Sequence, residues 1–218
     1  MRTLEGWKLP DTDTDFDRWI LNGTYQKHQR DTIFQFIKSQ KRILSNAIDV
    51  GAHVGFWLKD MCEEFKHVYA FEPVDIVREC LIENITKNNY TLYPYGLGNE
   101  EKNVKVNYNP EATGNTYISE DGNKEIQIKK LDSFDLLPID YIKIDAEGYE
   151  IEVLKGGEKL IEKYKPFIHV EVKGKALVKQ GLTNEDVENY LDSINYKRLL
   201  SVSSEHVYGP KWIYNKRT

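Results

Sequence analysis

The chain is short of cysteine, of long apolar runs and of positive charge. Cys62 and Cys80 are its only cysteines in 218 residues, and they form no CxxC pair. This excludes a disulfide-stapled small scaffold and a cysteine-rich zinc module. Both fall in segments that read as helices, so two buried, reduced thiols in a cytosol-like compartment are expected. No apolar run reaches the roughly 18 residues of a membrane-spanning helix. Residues 1–6 carry no apolar stretch of the secretory kind, and the expected location is cytoplasmic. Thirty Lys and Arg face 35 Asp and Glu, for a net charge of −5. The broad basic footprint of a duplex binder is missing. So is the GxGxxG fingerprint of dinucleotide folds.

What is there suits a chain with its own core. Apolar residues make up 40% and aromatics 12%, and a chain of this size buries roughly 70% of its unfolded surface. One domain over residues 46–218, behind an N-terminal helical extension over 1–45, is the simplest division. In the extension, Asp31 is the expected cap of a helix running into Ile33, Phe34 and Ile37. From residue 47 onward, strands and helices alternate. Residues 47–50, 68–71, 92–95, 141–144 and 167–170 read as strands. Residues 56–65, 75–88, 149–164 and 184–194 read as helices, the last capped by Thr183. Residues 104–108 and 126–128 alternate apolar and polar around Gly114 and Gly122, which predicts a β-hairpin excursion beside the main sheet. Residues 198–202 and 212–214 read as a closing antiparallel hairpin. The rhythm predicts a doubly wound α/β fold with a mostly parallel sheet. Such sheets bind ligands beyond the C-terminal ends of their strands, near the switch in strand order.

The sharpest segment is Asp49-Val50-Gly51-Ala52-His53-Val54-Gly55, which follows a strand and opens a helix. Glycine there lets the backbone turn tightly and approach a ligand. The spacing is GxxxG, with no third glycine to cradle a pyrophosphate. Asp49 would repel a phosphate and attract the ammonium of an amino-acid-like ligand. Glu72 ends the next strand, where an acidic side chain accepts hydrogen bonds from ribose hydroxyls. Together these favour S-adenosylmethionine over NAD. The bland alternative is a generic βα turn beside a surface acid.

Methyl transfer from a sulfonium is a direct displacement that depends on positioning. A base or a metal assists when the acceptor is an alcohol. Asp145 ends the fourth strand, Glu147 follows, and Glu171 ends the fifth. These carboxylates read as a base, as acceptor contacts, or as ligands of Mg²⁺ or Mn²⁺ at Asp145 and Glu171. Glu147 and Glu150 have a structural alternative at the start of the next helix. Lys143, mid-strand, needs a partner, with Asp132 and Asp145 as candidates. His53 faces an acceptor or packs at the helix start, and His169 reads as core. The loop Thr113-Gly114-Asn115-Thr116 and the residues Tyr25, Gln26 and Gln29 are candidate walls or lids. Trp19, Trp57 and Trp212 read as anchors, although an exposed one can stack on a sugar.

Several segments occur in a telling order: the glycine turn, Ala70-Phe71-Glu72-Pro73, Leu131-Asp132, Ile142-Lys143-Ile144-Asp145-Ala146-Glu147-Gly148-Tyr149-Glu150, Val153-Leu154-Lys155-Gly156 and Glu171. In this the chain resembles the FkbM family of methyltransferases over about residues 47–172. The segment from Lys143 to Glu150 is the most family-specific part. Gly23-Thr24-Tyr25-Gln26 also resembles a segment of some members. The resemblance implies a seven-stranded class I methyltransferase fold, S-adenosylmethionine as cofactor, and O-methylation of a sugar, glycan or small metabolite. Cofactor contacts are then expected from Asp49, Gly51, Ala52, His53, Gly55, Glu72, Pro73, Gly96, Leu97, Asp145, Tyr25 and Gln26. Catalysis is expected from Asp145, Glu147, Lys143, Glu171 and His53. Acceptor contacts are expected from Asn115, Thr116, Glu147 and Glu171. A methyltransferase of protein or nucleic acid, a non-catalytic binding module and an NAD-linked oxidoreductase are the alternatives. The acidic charge, the intact Asp49, Gly51, Gly55 and Glu72 set, and the glycine spacing speak against them in turn.

Overall fold

In the computed structural model, which describes residues 1–23, 25–40 and 42–213, the chain opens with an antiparallel ribbon of β1 (Arg2–Leu4) and β2 (Trp7–Leu9). Gly6, at φ +83, makes the turn. Helices α1 (Asp17–Leu21) and α2 (Lys27–Ser39) follow. The extension is therefore not helical throughout. Asp31 lies inside α2 and pairs with Lys27 one turn earlier, while Gln26, in the left-handed region at φ 45, occupies the cap.

The alternating elements come next: β3 (Asn46–Val50), α3 (Phe56–Glu64), β4 (His67–Phe71), α4 (Asp75–Asn84) and β5 (Tyr90–Tyr93). Helix α4 stops short of residue 88. The Asn84 amide is taken up by the backbone of Lys8 and the carbonyl of Val54, which ties the N-terminal ribbon to this point. The excursion is more than a hairpin. Strands β6 (Gly96–Leu97), β7 (Lys102–Asn107), β8 (Tyr117–Ile118) and β9 (Lys124–Lys129) form a separate sheet in the order β6-β9-β7-β8. Gly96 and Leu97 belong to that sheet as β6.

The rhythm then resumes with β10 (Tyr141–Ile144), α5 (Glu150–Gly156), α6 (Glu158–Tyr164), β11 (Phe167–Glu171), α7 (Gly174–Lys179) and α8 (Asn184–Ser193). The single helix expected over 149–164 is broken at Gly157. Asp132 accepts the backbone N–H groups of Lys159 and Leu160, satisfying the new helix start. Asp132 is thus a helix cap and not the partner of Lys143. Thr183 closes a capping box with Asp186 at the start of α8. Strands β12 (Tyr196–Val202) and β13 (Glu205–Pro210) close the chain as an antiparallel hairpin. The second of these precedes the segment expected from the sequence. Lys211–Ile213 is a short 3₁₀ turn, Trp212 is exposed, and Tyr214 lies outside the described residues.

The main sheet has seven strands in the order β12-β13-β11-β10-β3-β4-β5. From β11 to β5 every pairing is parallel. Chain order runs outward from β3 in both directions, so the switch point lies between β3 and β10. One face, with Ile48, Val50, Ile142 and Ile144, packs against residues of α5, α6 and α8. The other, with Ala47, Val68, Ala70 and Tyr141, packs against residues of α2 and α3. Side chains alternate between faces along a strand. Asp49, Lys143 and His169 stand in register across this second face, where all three are buried. Cys62 and Cys80 are free and buried. Among the described residues no helix is long and apolar enough to cross a membrane.

Helix α5 touches the second sheet through Gly156, where an added Cβ would lie 2.0 Å from the Gly98 carbonyl oxygen. Backbone on both sides leaves no flexible end to yield. Gly156→Ala is expected to cost about 2 kcal/mol or more, a fall in Tm of roughly 4–8 °C for a chain of this size. Thermal denaturation checks this, and an unchanged Tm would contradict the packing described.

Candidate active site

A cleft of about 530 Å³ opens over the carboxyl ends of β3, β4, β10 and β11, at the switch point. The glycine turn forms one wall. Gly51 has φ +72, and a Cβ there would stand 2.0 Å from the Asp145 carbonyl oxygen. Only glycine lets β3 and β10 diverge this closely. Glu72 faces the turn from the end of β4. Its carboxylate accepts the backbone N–H groups of His53 and Val74, at 3.0 and 2.9 Å. Burial pushes its carboxyl up to about 7. Ala52, His53, Pro73, Gly96 and Leu97 also line the cleft.

Two residues of the expected cofactor set do not wall the cleft. Gly55 caps α3 at φ +96, and its missing side chain makes room for Ile85. Asp49 is fully buried behind the wall, where strand alternation turns it toward α3. Its partner is Lys143, whose ammonium is 3.5 Å from Asp49 and 3.8 Å from Asp145. Lys143 is buried as well, 5.7 Å from the centre of the Trp57 ring. Burial alone would strip its proton, but Asp49 and Asp145 more than offset this and hold the ammonium charged. Lys143 reaches the cleft and Asp49 does not.

On the other wall stand Asp145, Glu147, Glu171 and Lys173, a residue that sequence reasoning passed over. The Lys173 ammonium lies 2.6 Å from Glu147, 3.1 Å from Glu171 and 3.9 Å from Asp145. Burial favours the neutral forms of Asp145 and Glu171, but charge separates them. Lys173 and Lys143 hold Asp145 well below the usual carboxylate range. Glu171, buried and hydrogen-bonded to the ionised Asp145, is pushed up to about 10 and keeps its proton. The divalent-metal reading of Asp145 and Glu171 does not fit this arrangement. An ammonium stands among the three carboxylates, and no group of three His, Cys, Asp or Glu among the described residues is placed to hold an ion.

The N-terminal extension completes the site. The Gln26 amide donates to Glu171 and to Glu205 of β13, at 3.3 and 3.1 Å, and accepts from the Trp57 indole at 2.6 Å. Glu205 also contacts His169 at 2.6 Å, and His169 contacts the Tyr141 hydroxyl at 2.6 Å. His169 is therefore a buried structural residue. Tyr25 packs its ring on Phe16 and Phe56. Gln29, Asn115, Thr116 and Trp19 line the opening, with Trp19 46% exposed and Asn115 bonded to Asp15 at 3.2 Å.

Comparison with known proteins assigns this architecture. A sequence model described as the Methyltransferase FkbM domain matches residues 49–198. The chain belongs to the FkbM methyltransferase family. A curated relative, the hexuronic acid methyltransferase AglP of Haloferax volcanii, is 29% identical over 131 residues. That match covers 57% of this chain and 54% of the relative, so the chain spans about half of the relative's length. The solved FkbM methyltransferase from Methylobacillus flagellatus superposes with a TM-score of 0.57 at 22% identity, over 77% of this chain and 44% of that one. The amino pentose methyltransferase CalS10 from Micromonospora echinaspora, solved with bound S-adenosylmethionine, gives a TM-score of 0.53 at 8% identity, over 88% and 93% of the two chains. These likenesses establish a class I methyltransferase fold.

Glu171, Glu72 and Glu150 all have carboxyls raised above the ordinary value near 4.5, to about 10, 7 and 7. Each binds a proton in the folded state that the unfolded chain releases. Their stabilising contribution is complete below about pH 4.5 and is lost as pH rises toward the folded values. Below about pH 6.5 the histidines held low in the fold, His53 among them, act in the opposite direction, so a clear loss of stability is expected between pH 7 and pH 10, as Glu171 gives up its proton. Glu171→Gln should flatten the slope above pH 7, where Glu72 and Glu150 have already titrated. Urea denaturation across that range checks this, and an unchanged slope in Glu171→Gln would refute the assignment.

Proposed function

We propose that the protein is an S-adenosylmethionine-dependent O-methyltransferase acting on a hydroxyl of a saccharide. The observation that carries the reading is the cleft at the switch point, where bare backbone at Gly51, the Glu72 carboxylate and an ionised Asp145 face one another. The chemistry of this set fits the donor. Glu72, with each oxygen taking one backbone N–H, has lone pairs left for ribose hydroxyls. Asp145, held ionised, suits the donor's ammonium better than it suits proton abstraction. Gly51, Ala52, Gly96 and Leu97 offer backbone and small side chains to the adenosine part. The group supplies an electrophilic methyl on a sulfonium. The protein's share is to orient it and to bring an oxygen into line.

The acceptor side is the wall of Glu147, Lys173, Asn115 and Thr116, with Trp19 at the mouth. Alternating donors and acceptors beside an exposed indole suit a sugar, whose ring faces stack on aromatics while its hydroxyls hydrogen-bond. The curated relative is named for a hexuronic acid, and Lys173 is a cation able to meet a uronate. Nucleic acid is disfavoured by the net charge of −5.

Calorimetry with S-adenosylhomocysteine and with NAD tests the cofactor. Binding of the former alone is expected, and Glu72→Ala should weaken it about 10- to 100-fold. Mass spectrometry of uronic-acid glycans treated with protein and donor should then show one added methyl that survives mild base. NAD binding would refute the cofactor. A base-labile methyl would place transfer on a carboxylate instead of a hydroxyl.

A further inference from the structure

Asp145 is held too acidic to be an effective base, and Glu171 keeps its own proton. Glu147 is engaged by the Lys173 ammonium at 2.6 Å, and His53, free of any such ion pair among the described residues, is placed to receive the acceptor's proton. The residue lines the cleft in the left-handed region at φ 50, with its N–H held by Glu72. Its ring packs against Phe16 at 5.0 Å. Nε2 is 2.8 Å from the Thr113 hydroxyl. Thr113 is buried, and both its hydroxyl and its N–H point to Oδ2 of Asp13. Asp13 is fully buried and accepts the Asp15 N–H through its other oxygen. Burial and the nearby Asp15 carboxylate raise the Asp13 carboxyl above its ordinary value, but the Thr113 hydroxyl, the Thr113 N–H and the Asp15 N–H all converge on it as donors, and with all three donating to it the carboxyl serves as acceptor. The Thr113 hydroxyl spends its proton on Asp13 and can only accept from His53. That places the imidazole proton on Nε2 and leaves Nδ1 with a bare lone pair. Among the described residues nothing hydrogen-bonds Nδ1.

We propose that His53 Nδ1 receives the hydroxyl proton of the methyl acceptor, with Thr113 and Asp13 as positioning residues that fix its tautomer. The inference rests on the methyltransferase reading above. In the step, a lone pair of the acceptor oxygen forms the new bond to the methyl carbon. The carbon–sulfur bond breaks with its pair left on sulfur, and the O–H proton passes to Nδ1. The imidazolium later releases it to water.

The charges around His53 suit a base that stays neutral. Burial pushes the imidazole down to about 4, Lys143 and Lys173 push the same way, and Asp145 opposes them. Glu72 faces it from the end of β4, and Asp13 faces it through Thr113. A weak base suffices, because an alcohol oxygen becomes strongly acidic as it takes on the methyl. Once protonated, His53 has the ionised Asp145 nearby. The arrangement joins the extension, the 3₁₀ turn between β7 and β8, and the glycine turn.

The test reads the tautomer before it reads activity. Long-range proton–nitrogen spectra of labelled, unliganded protein at pH 7 should show His53 protonated on Nε2, with a pyridine-like Nδ1; His53→Asn assigns the signal. Thr113→Val should erase that preference. In turnover, His53→Asn should lower kcat about 100-fold, the low end for general-base groups, while the affinity for S-adenosylhomocysteine is kept. Thr113→Val should lower kcat by a smaller factor, with the same affinity. The acid limb of kcat should fall near pH 4. A wild-type His53 protonated on Nδ1, or His53→Asn with wild-type kcat, would overturn the proposal. Failure of the wild-type protein to bind S-adenosylhomocysteine would sink the methyltransferase reading instead, and the tautomer result would still stand on its own.

Discussion

An ammonium buried in the middle of a central strand must be neutralised within the fold, and Lys143 is neutralised by Asp49 from β3 and Asp145 from the end of β10. Much of the site follows from this contact. Lys143 and Asp49 are adjacent in register, so their pairing reinforces the β3–β10 junction at which the cleft opens. The same ammonium, with Lys173, keeps Asp145 ionised, and the ionised Asp145 in turn keeps Glu171 protonated. A buried ion pair adds little net stability over a well-packed apolar core, but losing one partner leaves a costly charge behind. The pair therefore constrains the cleft more than it strengthens the fold.

The cleft is closed by two polar anchors from the N-terminal extension. Gln26 joins Glu171, Glu205 and Trp57, and Asp13 joins Thr113 and through it His53. Between them, Phe16 and Tyr25 pack their rings against Phe56 at the start of α3. The extension thus builds the site's wall, and the 3₁₀ turn Thr113–Asn115, between β7 and β8, reaches the same place through Thr113.

What could be read from sequence was local. The strand–glycine–helix turn, Glu72 at the end of the next strand, the run from Lys143 to Glu150 and the Thr183 cap are each contained in a few residues, and their spacing carries their meaning. The family followed from the same runs. That Asp49 sits behind the wall and not on it depends on which face of β3 meets α3, and adjacent acidic and glycine residues do not show this. Lys173 lies two residues beyond Glu171, and period-two alternation from the end of β11 would have brought it to the same side. Asp13 and Glu205 carry no such signal. Each is far along the chain from its partners, and only the docking of the ribbon and of the closing hairpin brings them in. The break at Gly157 depended on Asp132 arriving from a distant loop.

The most direct test of the central contact is a double-mutant cycle on stability with Asp49→Asn, Lys143→Met and the pair, followed by urea denaturation. Each single change should cost about 3–5 kcal/mol, because each strands a buried charge or leaves it under-compensated. The double variant should be more stable than the sum predicts, with a coupling of about 1–3 kcal/mol. Strictly additive costs would contradict the account, because they would mean that the two side chains do not hold one another in place.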